Sequence, residues 1–192
     1  MFLIIGLGNP GKQYKSTWHN LGFLAVDGFK SQMANFSDWK NMDRAQSLIS
    51  EGEINNKKII LAKPQTFMNN SGRSVQILVA YYKTPATNMI VLHDDADLPI
   101  GAIRISKNSG SAGHRGIESI IGHLKTKNFI RIRFGSRPKN YIPGSKSLKR
   151  SVLKIITKAD KKNAEQNIQK ITSALEIILE GKPEKAMSLF NG

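Results

Sequence analysis

The sequence contains no cysteine, which excludes disulfides, thiolate metal sites and a cysteine nucleophile. Acidic residues are scarce: 14 Asp and Glu stand against 29 Lys and Arg, a net charge of +15 over 192 residues. That imbalance exceeds what solubility requires and favours a polyanionic partner, nucleic acid first. No apolar run approaches the ~18 residues of a membrane span. The apolar opening is five residues long, lacks a basic leader and is too short for a signal peptide. A cytoplasmic protein without a membrane partner is therefore expected. Internal repeats and linkers are also lacking, so residues 1–192 are read as one domain, large enough for a substantial core.

What is present is organised around the first twenty residues. An apolar strand, 2–5, runs into Gly6-Leu7-Gly8-Asn9-Pro10-Gly11, and a polar stretch then leads to Thr17-Trp18-His19-Asn20. Leu21, Leu24, Ala25 and Gly28 repeat at helical spacing, which predicts a helix over 18–33 with Thr17 as its N-cap and His19 in its first turn. Gly6-x-Gly8-x-x-Gly11 matches the dinucleotide-binding fingerprint by letter. That fingerprint requires the helix to open at the glycines. Here Pro10 interrupts, residues 12–16 intervene, and Asp27 falls inside the helical pattern instead of ending a second strand. A nucleotide-binding oxidoreductase is thus disfavoured.

Further along, 47–54 and 58–62 flank Asn55-Asn56 as a hairpin, and 34–44 and 65–72 read as loops. Val75, Leu78, Val79 and Tyr82 mark a second helix, with Ser71 as a candidate cap. The continuous apolar run 89–92 predicts a strand buried on both faces that leads directly into His93-Asp94-Asp95-Ala96-Asp97. A half-exposed strand at 102–106 precedes a glycine-serine loop, 108–116, and a helix through Ile117, Ile120, Ile121 and Leu124. Ile130, Ile132 and Phe134 alternate with Arg131 and Arg133, giving one apolar and one basic face. Residues 137–162 hold nine Lys and Arg against the single acid Asp160. A long helix then ends near Gly181, and Pro183 opens a short last one. The expected fold is α/β: a single domain with a twisted mixed β-sheet, parallel at its centre and flanked by helices. Ligands gather beyond the carboxyl ends of central strands in such sheets, which would bring His19 near Asp94.

A histidine steadied by a carboxylate is the minimal device for activating water. His19 with Asp94 is the candidate pair; the competing reading of His19 is a cap or packing residue, and of Asp94, Asp95 and Asp97 a solvated turn. A divalent metal on these acids is a third reading, weakened because no Glu or His stands at ligand spacing. Asn9, Asn69 and Asn70 lie in glycine-bearing loops, where turn chemistry competes with orienting an ester carbonyl or a water. Phe67 and Met68 are either tucked into the core or form a platform for a base or side chain. Lys107, Arg115 and Arg133 neighbour the glycine loop, which is either a phosphate nest or an exposed connection. His93 is read as packing and His123 as solvent-facing.

Four blocks together resemble the bacterial peptidyl-tRNA hydrolases. They are 6–11 with Tyr14 and 17–20; Lys63-Pro64-Gln65-Thr66-Phe67-Met68-Asn69-Asn70-Ser71-Gly72; His93-Asp94-Asp95-Ala96-Asp97-Leu98-Pro99; and Gly113-His114-Arg115-Gly116 with 131–138. The resemblance covers nearly the whole chain. It implies a monomeric α/β enzyme, without cofactor or metal, that hydrolyses the ester between a peptide and the 3′ end of tRNA. It implies that His19 activates water, that Asp94 orients it, and that Asn69 assists at the histidine and carbonyl. Asn9, Tyr14, Phe67, Met68, Asn69 and Arg115 would meet the substrate. Lys107 and Arg133 would clamp the tRNA 5′ phosphate, with Arg137, Lys139 and the segment beyond Pro138 forming a lid and tRNA surface. Arg115 stands where the family usually has asparagine and is expected on phosphate or ribose, because arginine only donates. Trp18 stands where arginine is common, so one RNA contact is lost or replaced by stacking. The runner-up is a non-catalytic RNA-binding relative, against which the retention of His19, Asp94, Asn69 and Asn9 argues.

Overall fold

Side-chain alternation along the first strand divides the molecule into layers. In the computed structural model, which describes residues 1–137 and 152–191, β1 (Phe2–Gly6) buries Leu3, Ile4 and Ile5 completely. Ile4 faces a core built with Ala25, Val26 and Phe29 of α1 (Leu21–Gln32), Ile171, Leu175 and Ile178 of α4 (Lys158–Leu179), and Ala186 of α5 (Pro183–Phe190). Leu3 and Ile5 face a second core, with Val75 and Leu78 of α2 (Ser71–Tyr82) and Ile117 and Ile120 of α3 (Arg115–Leu124). A strand buried on both faces has no polar position to place, hence its unbroken apolar run.

The remaining strands are β2 (Lys40–Met42), β3 (Ser47–Ile54), β4 (Lys57–Pro64), β5 (Met89–Pro99), β6 (Ile103–Lys107) and β7 (Ile130–Arg137). They form one seven-stranded sheet in the order β2-β3-β4-β1-β5-β7-β6. The centre, β4-β1-β5-β7, is parallel, and β2, β3 and β6 add antiparallel edges. This is the expected mixed sheet with helices on both faces. Asn55 and Asn56 turn the β3–β4 hairpin at φ 50° and 58°, the left-handed conformation of a type I′ turn. The 34–44 stretch, expected to be loop, contributes the short edge strand β2, which pairs with β3.

Two departures set the site. First, α1 begins at Leu21, and Trp18–Asn20 form a separate 3₁₀ turn ahead of it. Thr17 does not cap the helix; its hydroxyl donates back to the Tyr14 carbonyl at 2.9 Å. Second, β5 does not stop at Leu92. β7 continues to supply ladder partners, so His93, Asp94 and Asp95 pair with Arg133, Phe134 and Gly135 within the sheet. The acids stand on a strand and not in a turn after it.

The glycines of the fingerprint have a different task here. A β-carbon on Gly6 would fall 2.3 Å from the Gly22 carbonyl oxygen, and one on Gly22 would fall 2.3 Å from the Leu92 carbonyl oxygen. The start of α1 therefore rests on the backbone of β1 and β5 at a distance that no side chain permits.

Candidate active site

That close approach carries the 3₁₀ turn over the carboxyl end of β5. The His19 backbone N–H donates to the Val152 carbonyl at 2.8 Å, which anchors the turn from the other side. His19 Nδ1 then donates to Asp94 Oδ1 at 2.8 Å, across 75 residues of sequence. With its proton on Nδ1, His19 presents the Nε2 lone pair.

Asp94 is 2% exposed and has a second donor. His114 Nε2 donates to the same Oδ1 at 3.1 Å. The tautomer is set by the other ring nitrogen: His114 is the N-cap of α3, and its Nδ1 accepts the Ile117 N–H at 3.3 Å. Burial alone would push the Asp94 carboxyl up, but the N–H donors of His114 and His19 outweigh it and hold the carboxyl well below the usual range. The magnitudes agree with that outcome. Two charge-assisted hydrogen bonds contribute about 1.5–3 kcal/mol each, against a burial penalty of several kcal/mol per ion.

His93 supports this pair from beneath. Its ring lies 4.4 Å from the His114 ring, centroid to centroid, and Nδ1 donates to the Asp94 carbonyl at 2.6 Å. Burial pushes its pKa well below the ordinary 6.5, so it remains neutral. Its Nε2 is buried without a partner.

The opposite wall of the site is tied down by asparagines. Asn20 Oδ1 accepts the Asn9 N–H at 2.8 Å, and Asn20 Nδ2 donates to the Asn9 carbonyl at 3.0 Å. Asn9 Oδ1 accepts the Met68 N–H at 2.8 Å, which fixes the turn Met68–Asn70. Asn9 thus positions the 67–70 loop, and its amide N–H₂ is left as the group able to meet a ligand. Met68 is buried in the α2–α3 core, whereas Phe67 is 55% exposed. Between the walls lies a cleft of about 670 Å³, lined by His19, Asp94, Asn69, Phe67, Arg115 and their neighbours. Exposed Arg115 is the first residue of α3, where the helix dipole disfavours a cation.

Several expected contacts are arranged otherwise. Tyr14 is half-buried in the turn Lys12–Tyr14 and is not among the residues lining the cleft. Trp18 is 6% exposed and packs in the α1 core, so it offers no surface for stacking a base. Lys107 and Arg133 do not converge. Lys107 shares strand parity with buried Ile103 and Ile105 on the α1 face, while Arg133 projects to the α3 face opposite Arg104. Arg133 Nη1 donates to Asp95 Oδ2 at 2.8 Å, and half-buried Arg137 ends β7. Lys139 and the basic segment 138–151 lie outside the described residues. His114 is the site residue that the sequence reading missed; its only signal was a second histidine just ahead of a helical pattern.

His19, Asp94 and His114 place one ligand atom each within 4.8 Å of one another, so space supplies the histidines that ligand spacing in the sequence did not. The donor set nevertheless does not fit a metal. Both imidazoles direct N–H at the same oxygen, and a metal on His114 Nε2 would drive its proton onto Nδ1, against the Ile117 N–H.

A sequence model of the peptidyl-tRNA hydrolase family matches residues 3–192. The peptidyl-tRNA hydrolase of Clostridium tetani is 39% identical over 192 residues, covering 100% of this chain and 97% of the relative. That of a Thermoanaerobacter species is 41% identical over 194 residues, with 100% of both chains covered. The crystal structure of peptidyl-tRNA hydrolase from Acinetobacter baumannii superposes with a TM-score of 0.91 at 30% identity, covering 100% of this chain and 95% of that one. With the model spanning nearly the full length and the relatives collinear from end to end, the chain belongs to the peptidyl-tRNA hydrolase family.

Proposed function

We propose that this protein hydrolyses the ester joining a peptide to the 3′ end of tRNA, with His19 as general base and Asp94 as its orienting partner. The observation that carries the mechanism is the 2.8 Å hydrogen bond from His19 Nδ1 to a buried, ionised Asp94 at the floor of the cleft. His19 Nε2 takes a proton from water as the water oxygen bonds to the ester carbonyl carbon. The tetrahedral intermediate then collapses, the bond to the ribose 3′ oxygen breaks, and His19 returns the proton to that oxygen. No metal takes part. The exposed Asn69 amide donates to the carbonyl oxygen as negative charge develops on it, and Asn9 holds the Met68 turn that carries Asn69. Phe67 and Met68 flank the aminoacyl group. Arg115 meets the substrate from the α3 side, and Tyr14 serves by shaping the loop before His19.

The net charge of +15 supports tRNA as the partner, bound by Arg133, Arg137, Lys139 and Lys107 along separate parts of its backbone instead of at one shared phosphate. The protein acts in the cytoplasm as a monomer. Release of tRNA from N-acetyl-aminoacyl-tRNA tests the reading. Wild type turns over, and His19→Ala falls by about 10²–10⁴-fold, the contribution of a positioned base. Equal rates in the two proteins overturn the assignment, and binding without turnover in the wild type returns the protein to a non-catalytic RNA-binding role.

A further inference from the structure

Strand β7 carries two arginines on the face turned toward α3, and only one has a counter-charge. Arg133 has Asp95 at 2.8 Å. Arg131, two residues earlier, is 2% exposed, and among the described residues no carboxylate pairs with it. The stretch 138–151 contains no Asp or Glu that might serve. Arg131 Nη2 donates to the Ser109 hydroxyl of the glycine loop, and Nη1 is buried with no partner at all. Burial lowers Arg131 to about 10, reinforced by Arg133 and opposed by Asp95, so it is still a cation at neutral pH.

Other groups on this face also lack partners. Arg133 Nε is buried and unpaired, as is the hydroxyl of Ser106, which stands opposite Arg131 in the β6–β7 ladder. Arg104 stands opposite Arg133 and is exposed. The face thus holds a surplus of positive charge and of N–H donors. An unpaired buried guanidinium is strongly unfavourable in a finished core, whereas an open one fits a ligand that only accepts and carries negative charge. The planar fork of arginine matches phosphate oxygens.

We propose that Arg131, with Arg133 and Arg104, forms a phosphate-binding seat that Ser109 closes in the free protein. Ser109 gives up its bond when the anion enters. This seat differs from any contact made by Lys107, which leans to the other face. The phosphate comes either from the tRNA backbone, which rests on the function proposed above, or from free inorganic phosphate.

Thermal unfolding in inorganic phosphate, against chloride of equal ionic strength, tests the seat without reference to catalysis. Wild type gains about 5–10 °C in Tm at a hundredfold excess over Kd. Arg131→Met removes that gain, and its Tm in chloride is unchanged or higher because a buried unpaired charge has gone. Ser109→Ala, which leaves Arg131 intact, enlarges the gain and answers the question if Arg131→Met fails to fold. An equal phosphate gain in all three proteins, or none in any, overturns the seat. The slope of tRNA affinity against salt, measured in parallel, falls by about one in Arg131→Met if the backbone supplies the anion. A lost phosphate gain with an unchanged tRNA slope overturns the tRNA source and leaves free phosphate as the ligand. Failure of the wild type to release tRNA in the hydrolysis assay bears on the catalytic reading alone.

Discussion

Two buried polar clusters share the β5–β7 region and are built on opposite terms. Around Asp94, one carboxylate receives two imidazole N–H groups, and most polar atoms have partners. Around Arg131, two guanidiniums share one carboxylate, and donors point at nothing. The first cluster is pre-organised: its hydrogen bonds fix rings and tautomers before a substrate arrives. The second is held in an unfavourable state that an incoming anion relieves. The difference separates the chemistry of a site from its recognition, because a base must be ready in advance while a binding surface gains affinity by being left incomplete.

The comparison is broken most directly at its satisfied end. Asp94→Asn removes the acceptor for both histidines and allows His19 the wrong tautomer, so kcat falls by about 10³–10⁴-fold in the tRNA-release assay with the fold retained. His114→Ala has a smaller effect. It leaves Asp94 with one donor, lowering kcat about tenfold or more, and removes a helix cap, lowering Tm by about 2–4 °C. His114→Asn restores the cap and the Tm without restoring the rate, because its shorter side chain does not span to Asp94. Equal rescue of both by asparagine would make His114 a cap and nothing more.

Acid stability sharpens the contrast further. His93 is held neutral with its pKa well below 6.5, so the unfolded chain takes up that proton first. Stability from His93 is whole above about pH 6.5 and declines as pH falls below it. Asp94, held below its ordinary 3.8, stabilises the fold above that pH, and the contribution is lost as pH falls through the depressed value. A His93→Phe variant should therefore show a flatter fall of Tm between pH 7 and 5 than wild type, while the steep loss below pH 4 persists. At the incomplete end the effect is smallest. Arg133→Ala leaves turnover near wild type at saturating substrate and reduces the salt slope of tRNA binding by about one. An unchanged slope would remove Arg133 from the RNA surface.

What could be read from the sequence followed local periodicity. The two-sided burial of β1, the Asn55-Asn56 turn and the split of β7 into an apolar and a basic side are all written in adjacent residues. The length of β5 was not, because residues 93–99 are too polar to register as a strand and are held there by the ladder with β7. Trp18 was misjudged for a related reason: an aromatic in a polar stretch looks available until α1 and α4 close over it. The meeting of His19 with Asp94 was anticipated from the topology of parallel strands. The meeting of His114 with the same oxygen depends on where α3 starts relative to β5, which no spacing encodes.

The bare seam between Gly22 and Leu92 has an evolutionary corollary. Because the base is located by main chain resting on main chain, repacking the hydrophobic interior does not shift it. Residues such as Ile4, Phe29 or Leu175 can drift under mutation while the proton acceptor keeps its coordinates, whereas a single added methyl at position 22 would lift it off its partner.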